Sequence, residues 1–165
     1  MAKLTKTGNH DVTDRAFLLD GFNDDSLPTL LRLLRSNAQE EPSAIALKQK
    51  DRGIWRPVTW LQYKHACLEV AFGLMQMDYK RGDHIAILSE NRQEWLFSQL
   101  GINIVGAIPA GLYPTSPSSE IRYLLAYSDS VAVICEDQEQ VDKVLEVRED
   151  LPMLRHVFVI DTKGL

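Results

Sequence analysis

Residues 106–137 read GAIPAGLYPTSPSSEIRYLLAYSDSVAVICED, and this stretch decides the fold class. An apolar run, Ala107–Leu112, passes through a loop of Tyr, Pro, Thr and Ser into a segment with helical spacing. That segment hands over to Val131–Glu136, an almost wholly apolar run of strand length. A strand that is apolar on both sides belongs in a sheet covered on both faces, and such sheets are parallel and interleaved with helices.

The same alternation extends in both directions. Upstream, residues 84–89 (HIAILS) predict a strand, and Asn91 with Glu94 has capping-box spacing for a helix over 92–106. Downstream, Asp137 and Gln140 predict the cap of a helix running to about residue 150, and residues 156–161 (HVFVID) predict a last strand. Thr59 and Gln62 form another capping-box pair, opening a helix over 60–77. Leu61, Leu68, Phe72 and Met75 recur there at helical spacing and predict its buried face, with methionine as core filler. Before it, residues 44–60 predict a β-hairpin turning at Asp51-Arg52-Gly53. Residues 26–42 predict a helix capped by Ser26, with Pro28 in its first turn and Leu27, Leu30, Leu31 and Leu34 on its apolar face. The expected fold is therefore α/β: a mostly parallel sheet with flanking helices and an N-terminal β-hairpin. Residues 1–25 are expected to be a mobile lead-in, and 26–165 the folded unit.

At 165 residues, with 45% hydrophobic and 25% charged side chains, the chain has the composition of one globular domain. A net charge of -5 and the absence of any basic run longer than two speak against nucleic acid as a partner. No apolar run approaches the roughly 20 residues of a membrane span. The first residues carry only Ala16–Leu19 as an apolar run, too short for a signal peptide, so a cytoplasmic location is expected. Cys67 and Cys135 are expected to be buried free thiols.

The loop after Leu112 is the candidate site. Ligands of open α/β sheets sit beyond the carboxyl ends of the strands, which makes Tyr113, Thr115 and Ser116 the positions to watch. A structural reading competes with this one: Ser116 caps the next helix, Pro117 is its first residue, and Pro114 stiffens the approach. Elsewhere the chemistry is sparse. Arg81-Gly82-Asp83 reads as a turn. His10, His65, His84 and His156 are too dispersed to suggest a metal-ligand set. Neither the dinucleotide-binding nor the P-loop glycine pattern occurs, nor a nucleophile elbow. No catalytic, cofactor-binding or metal-ligating residue is assigned.

Taken together, residues 58–95 and 106–147 resemble the opening of long-chain acyl-CoA synthetases, fatty-acid–CoA ligases of the adenylate-forming, AMP-binding superfamily. The resemblance rests on a helix opened by Thr59-Trp60, the Gly82-Asp83 turn, the run Ser89-Glu90-Asn91 with Glu94-Trp95 behind it, and the loop Tyr113-Pro114-Thr115. It implies a parent enzyme that joins a fatty acid to CoA through an acyl-adenylate, using ATP, Mg and CoA and releasing AMP and pyrophosphate. That enzyme is expected to be cytoplasmic, possibly membrane-peripheral. The family's Ser/Thr/Gly-rich phosphate loop does not occur here, and residues 158–165 (FVIDTKGL) resemble a family strand just ahead of it. The chain is accordingly expected to be the N-terminal part of such a ligase, binding none of these ligands and inactive by itself. Where the family has Gly after the long helix, this chain has Asp78, which predicts a strained or shifted helix end. Two other readings stay open: a free-standing α/β binding or oligomerisation module, and a small flavodoxin-like or other nucleotide-binding domain. Residues 94–112 look apolar nearly all round, which predicts burial against something outside the chain, and hence self-association.

Overall fold

The computed structural model describes residues 29–162. In chain order these form α1 (Leu30–Glu40), β1 (Ile45–Asp51), β2 (Ile54–Thr59), α2 (Trp60–Gln76), β3 (His84–Leu88), α3 (Gln93–Val105), β4 (Ile108–Leu112), α4 (Ser118–Tyr127), β5 (Ser130–Cys135), α5 (Gln138–Glu146) and β6 (His156–Val159). Strands β1 and β2 make an antiparallel hairpin, and the other four form a parallel sheet in the order β4-β3-β5-β6. The α/β expectation, hairpin included, is what the chain adopts. Arg52 and Gly53, both at positive φ (47° and 84°), make the tight two-residue turn of the hairpin.

Alternate strand residues serve two cores. Ala86, Leu88, Val133 and Cys135 face α4 and α5, where Ile121, Leu125 and Val144 meet them. Ile85, Ile87, Ala132 and Ile134 face the other way, toward Ile102 of α3 and Leu74 of α2. Beyond α3 lies a third apolar cluster, built from Leu31 and Leu34 of α1, Tyr63, Cys67 and Ala71 of α2, and Leu100 and Ile104 of α3. Helix α3 is thus enclosed by the sheet on one side and by α1 and α2 on the other. Burial of these two faces of α3 is supplied by this same chain, while Phe97 and Ser98 also line an apolar hollow.

Three local expectations shift. The buried stripe of α2 is Tyr63, Cys67, Ala71 and Leu74, whereas Leu61 and Met75 are 38% and 40% exposed. Small side chains let α1 and α3 approach this helix closely, which a count of large apolar residues cannot anticipate. Helix α1 starts at Leu30, capped by the Thr29 hydroxyl that accepts from the Arg32 N–H. Leu31 and Leu34 are buried, while Leu30 is 60% exposed. Ser26, Leu27 and Pro28 lie outside the described residues. By contrast, the Thr59–Gln62 capping box forms in both directions, and the Asp137 carboxylate caps α5 at the Gln140 N–H.

The Asp78 expectation holds. Asp78 takes φ 61°, the Asp78 N–H donates to the Met75 carbonyl, and the Tyr79 N–H reaches back to that of Leu74. This is a Schellman end built on an aspartate, with Leu74 and Tyr79 sharing one apolar cluster as the motif prefers.

Helices α2 and α3 come close at Gly101 of α3, where an added Cβ would lie 2.6 Å from Val70 Cγ1 and 3.0 Å from the Cys67 carbonyl oxygen. Gly101→Ala should therefore cost about 1–3 kcal/mol by forcing α2 and α3 apart. Urea unfolding checks this, and an unchanged midpoint would show that the crossing can relax freely.

Candidate functional site

In an open parallel sheet, a crevice forms where successive strands step to opposite sides of their predecessor. Here β3 leads to β4 on one side, and β5 then lies on the other side of β3, so the crevice opens at the carboxyl ends of β3 and β5. Those ends are Ser89 and Glu136, and the two residues are joined. The Glu136 carboxylate accepts from the Ser89 hydroxyl (3.2 Å), the Glu90 N–H (2.7 Å) and Arg92 Nη1 (3.1 Å). Arg92 Nε also donates to Glu94 Oε2 at 2.7 Å. The crevice is closed by the chain's own carboxylate, and one guanidinium spans two acids.

The electrostatics follow from that geometry. Burial opposes the charged form of Glu94. Hydrogen bonds from Arg92, from its own N–H and from Gln93, together with the Arg92 charge, outweigh burial and hold the carboxyl below its ordinary range. Burial likewise disfavours the Arg92 cation, yet the bonds and charges of Glu94 and Glu136 raise its pKa. The α3 amino end differs from the expectation. Arg92, not Asn91, occupies the cap position, and no side-chain cap bond is made there. The Gln93 N–H is instead satisfied by Gln49 Oε1 of the hairpin at 2.6 Å. Nothing local could have signalled this, because the partner is 44 residues away.

Hollows flank the network, two of them meeting at Trp95. A groove of ≈ 700 Å³ runs between the hairpin and the sheet, bounded by Gln49, Trp55, Asn91, Arg92, Trp95 and Glu136 among others. A smaller pocket of ≈ 270 Å³ lies at the end of β4, lined by Ser89, Glu90, Asn91, Trp95, Gly111, Leu112, Tyr113 and Pro114. Trp95 is the partition between them, lying so close to β4 that a Cβ on Gly111 would meet its ring at 3.3 Å. Of the three loop positions singled out by sequence, Tyr113 lines the smaller pocket and is 77% exposed. Thr115 is exposed, and Ser116 is buried. Ser116 does not cap α4: Pro117 holds the cap position, without a side-chain cap bond.

What this carboxyl end can hold is limited by charge. The Arg92 guanidinium at the strand ends is already bound by Glu94 and Glu136, while Lys48 and Lys50 line the groove from the hairpin side. The paired Arg92, Glu94 and Glu136 do not fit an ATP–Mg site. Among the described residues, no group of three or more His, Cys, Asp or Glu converges as a metal site. The two cysteines are free and buried. Burial pushes both thiols up to about 12, which makes them poor nucleophiles.

Residues 34–165 match the AMP-binding enzyme family. The chain belongs to that family. A long-chain-fatty-acid–CoA ligase of Rattus norvegicus (ACSBG1) is 32% identical over 71% of this chain and 16% of its own length. A long-chain-fatty-acid–CoA ligase of Mycobacterium bovis is 28% identical over 76% of this chain and 21% of its own. Among solved structures, an anthranilate CoA ligase in complex with anthranoyl-AMP is similar, with a TM-score of 0.71 and 27% identity over 78% of this chain and 24% of that one. A putative long-chain-fatty-acid CoA ligase from Rhodopseudomonas palustris gives a TM-score of 0.72 and 25% identity over 81% of this chain and 33% of that one. The chain thus spans about a sixth to a fifth of the length of these two curated relatives.

The depressed Glu94 pKa makes a signed prediction. A carboxyl lowered by folding contributes stability above its unfolded pKa of about 4.3 and loses that contribution as pH falls through the folded value. Glu94→Gln should cost roughly 1 kcal/mol at pH 7, with the difference from the parent chain shrinking in acid. Urea midpoints measured from neutral to acid pH test this; a cost that stays constant would assign the effect to packing instead.

Proposed function

We propose that this chain is the N-terminal part of the AMP-binding domain of a long-chain fatty-acid–CoA ligase, which converts fatty acid, ATP and CoA to acyl-CoA, AMP and pyrophosphate through an acyl-adenylate. The observation that carries the reading is the family match over 34–165, joined by curated relatives that are long-chain-fatty-acid–CoA ligases by name. Its role there is structural: a parallel sheet, closed at its crevice by Glu136, that walls the substrate region with Trp95 and the Tyr113 loop. ATP, Mg and CoA belong to the whole enzyme, acting in the cytoplasm or at a membrane surface. No described helix is long and apolar enough to cross a membrane.

By itself the segment does not adenylate. Adenylyl transfer needs cations and N–H donors arranged around the phosphates, and the Arg92 guanidinium is committed to Glu94 and Glu136. Purified chain incubated with palmitate, ATP and Mg should give no pyrophosphate exchange above the blank, and exchange above it would overturn this part. The product of the whole reading frame should form palmitoyl-CoA and AMP; its failure on every long-chain acid would sink the ligase assignment.

A second reading, a self-associating module, draws on an apolar hollow of ≈ 310 Å³ between α2, α3 and the outer strands, lined by Val70, Leu74, Met77, Phe97, Phe158 and Ile160 among others. Apolar hollows of this kind favour association. The chain should sediment as a dimer or larger species, and Phe158→Glu should shift it toward monomer. A monomeric parent chain at high concentration would refute the idea.

A further inference from the structure

Helix α5 lines neither hollow at the carboxyl end of the sheet, yet it holds a wall of one of them. Lys143 Nζ, 22% exposed, donates to the Pro114 carbonyl oxygen at 2.7 Å and to Gln140 Oε1 at 3.2 Å, and pairs with Glu139 Oε1 at 2.9 Å. An ammonium has three donors, and these three partners use all of them. Two of the partners lie on its own helix, and the third belongs to the loop. One turn further along, Glu146 accepts from the Ser118 hydroxyl at 2.5 Å, fixing the other end of the loop where α4 begins. Between these ties the loop holds itself by one turn bond, from the Ser116 N–H to the Tyr113 carbonyl, and by Pro114 and Pro117. Tyr113 and Thr115 make no side-chain hydrogen bond that contributes to this. The loop is therefore rigid at its backbone while its Tyr113 ring stands free at the pocket mouth, an arrangement that holds a binding wall ready rather than one that packs a core.

We infer that Lys143 is a positioning residue: through the Pro114 carbonyl it sets the Tyr113–Ser116 loop against Trp95, so that a substrate of the ligation meets a preformed pocket wall. The role in catalysis rests on the ligase reading, whereas the clamp itself does not. A charge-assisted bond is among the stronger kinds, and its loss is felt locally because α5 is otherwise fixed by Val144 in the core.

Hydrogen exchange on the 165-residue chain tests the clamp. Lys143→Met should speed exchange at the Ser116 amide, which the Tyr113 carbonyl holds, by about tenfold with little change elsewhere in the sheet. Lys143→Arg, which can still donate to the carbonyl, should restore protection. Glu139→Gln removes the pair on the helix but not the loop contact, and should leave the loop protected. Unchanged loop exchange in Lys143→Met would overturn the inference, as would an equal rise in Glu139→Gln. In the whole enzyme, Lys143→Met should raise KM for one of fatty acid, ATP or CoA by about tenfold while kcat changes less, again rescued by Arg. Faster loop exchange with unaltered kinetics would make the clamp structural only and overturn the positioning role. A parent enzyme with no ligase activity, its loop exchange still dependent on Lys143, would count against the ligase reading and the catalytic role while leaving the clamp established.

Discussion

The contact on which the rest depends is the crossing of α2 and α3 at Gly101. Because residue 101 has no side chain, Val70 and the Cys67 carbonyl lie against the α3 backbone. That closeness lets α1 and α2 seal the face of α3 turned away from the sheet. A helix enclosed on both faces cannot rotate or slide without opening one of two cores. Its amino end, where Arg92, Glu94 and Trp95 sit, is consequently held in place by packing that is remote from the site itself.

The carboxyl end of the sheet inherits this rigidity. Arg92 reaches Glu136 because α3 starts directly beyond β3, and Glu136 reaches Ser89 and Glu90 because β5 lies beside β3. The resulting network does two things at once. It satisfies partly buried charges that would otherwise be costly, and it fills with protein groups the crevice where open α/β sheets usually take a ligand. The space left over lies to either side of Trp95, between the hairpin and the sheet or under the Tyr113 loop. Lys143 acts on that loop from a helix that never touches the pocket.

Much of the fold was legible in the chain. The apolar runs 84–89 and 131–136 gave the two central strands, since β-structure buried on both faces leaves little room for polar residues, and 107–112 gave the partly exposed edge strand. The Thr59–Gln62 pair and Asp137 gave helix starts, because capping is satisfied within one turn. Asp78 read as a strained or shifted helix end only through the family resemblance, which has Gly there, and it takes φ 61°. The candidate site was legible only in outline. Tyr113, singled out by the strand-to-helix handover, lines the smaller pocket, but Ser116 turned out buried and did not cap its helix. Asn91 yielded its expected place to Arg92, with Gln49 of the hairpin meeting the free N–H instead. The α2 stripe was misread because large apolar residues mark burial less well than small ones where helices cross closely.

What the sequence determined by itself were properties set within about a dozen residues, namely which segments are helices or strands and where they are capped, and, from the order of those segments, which family they resemble. The tertiary structure alone decided what α3 is buried against, which acids neutralise Arg92, and which lysine holds the Tyr113 loop. Each of those pairings joins residues far apart in the chain, Gln49 with Gln93, Arg92 with Glu136, Pro114 with Lys143. Local spacing encodes periodicity and capping, but the identity of a distant partner depends on strand order, and strand order exists only once the chain has folded.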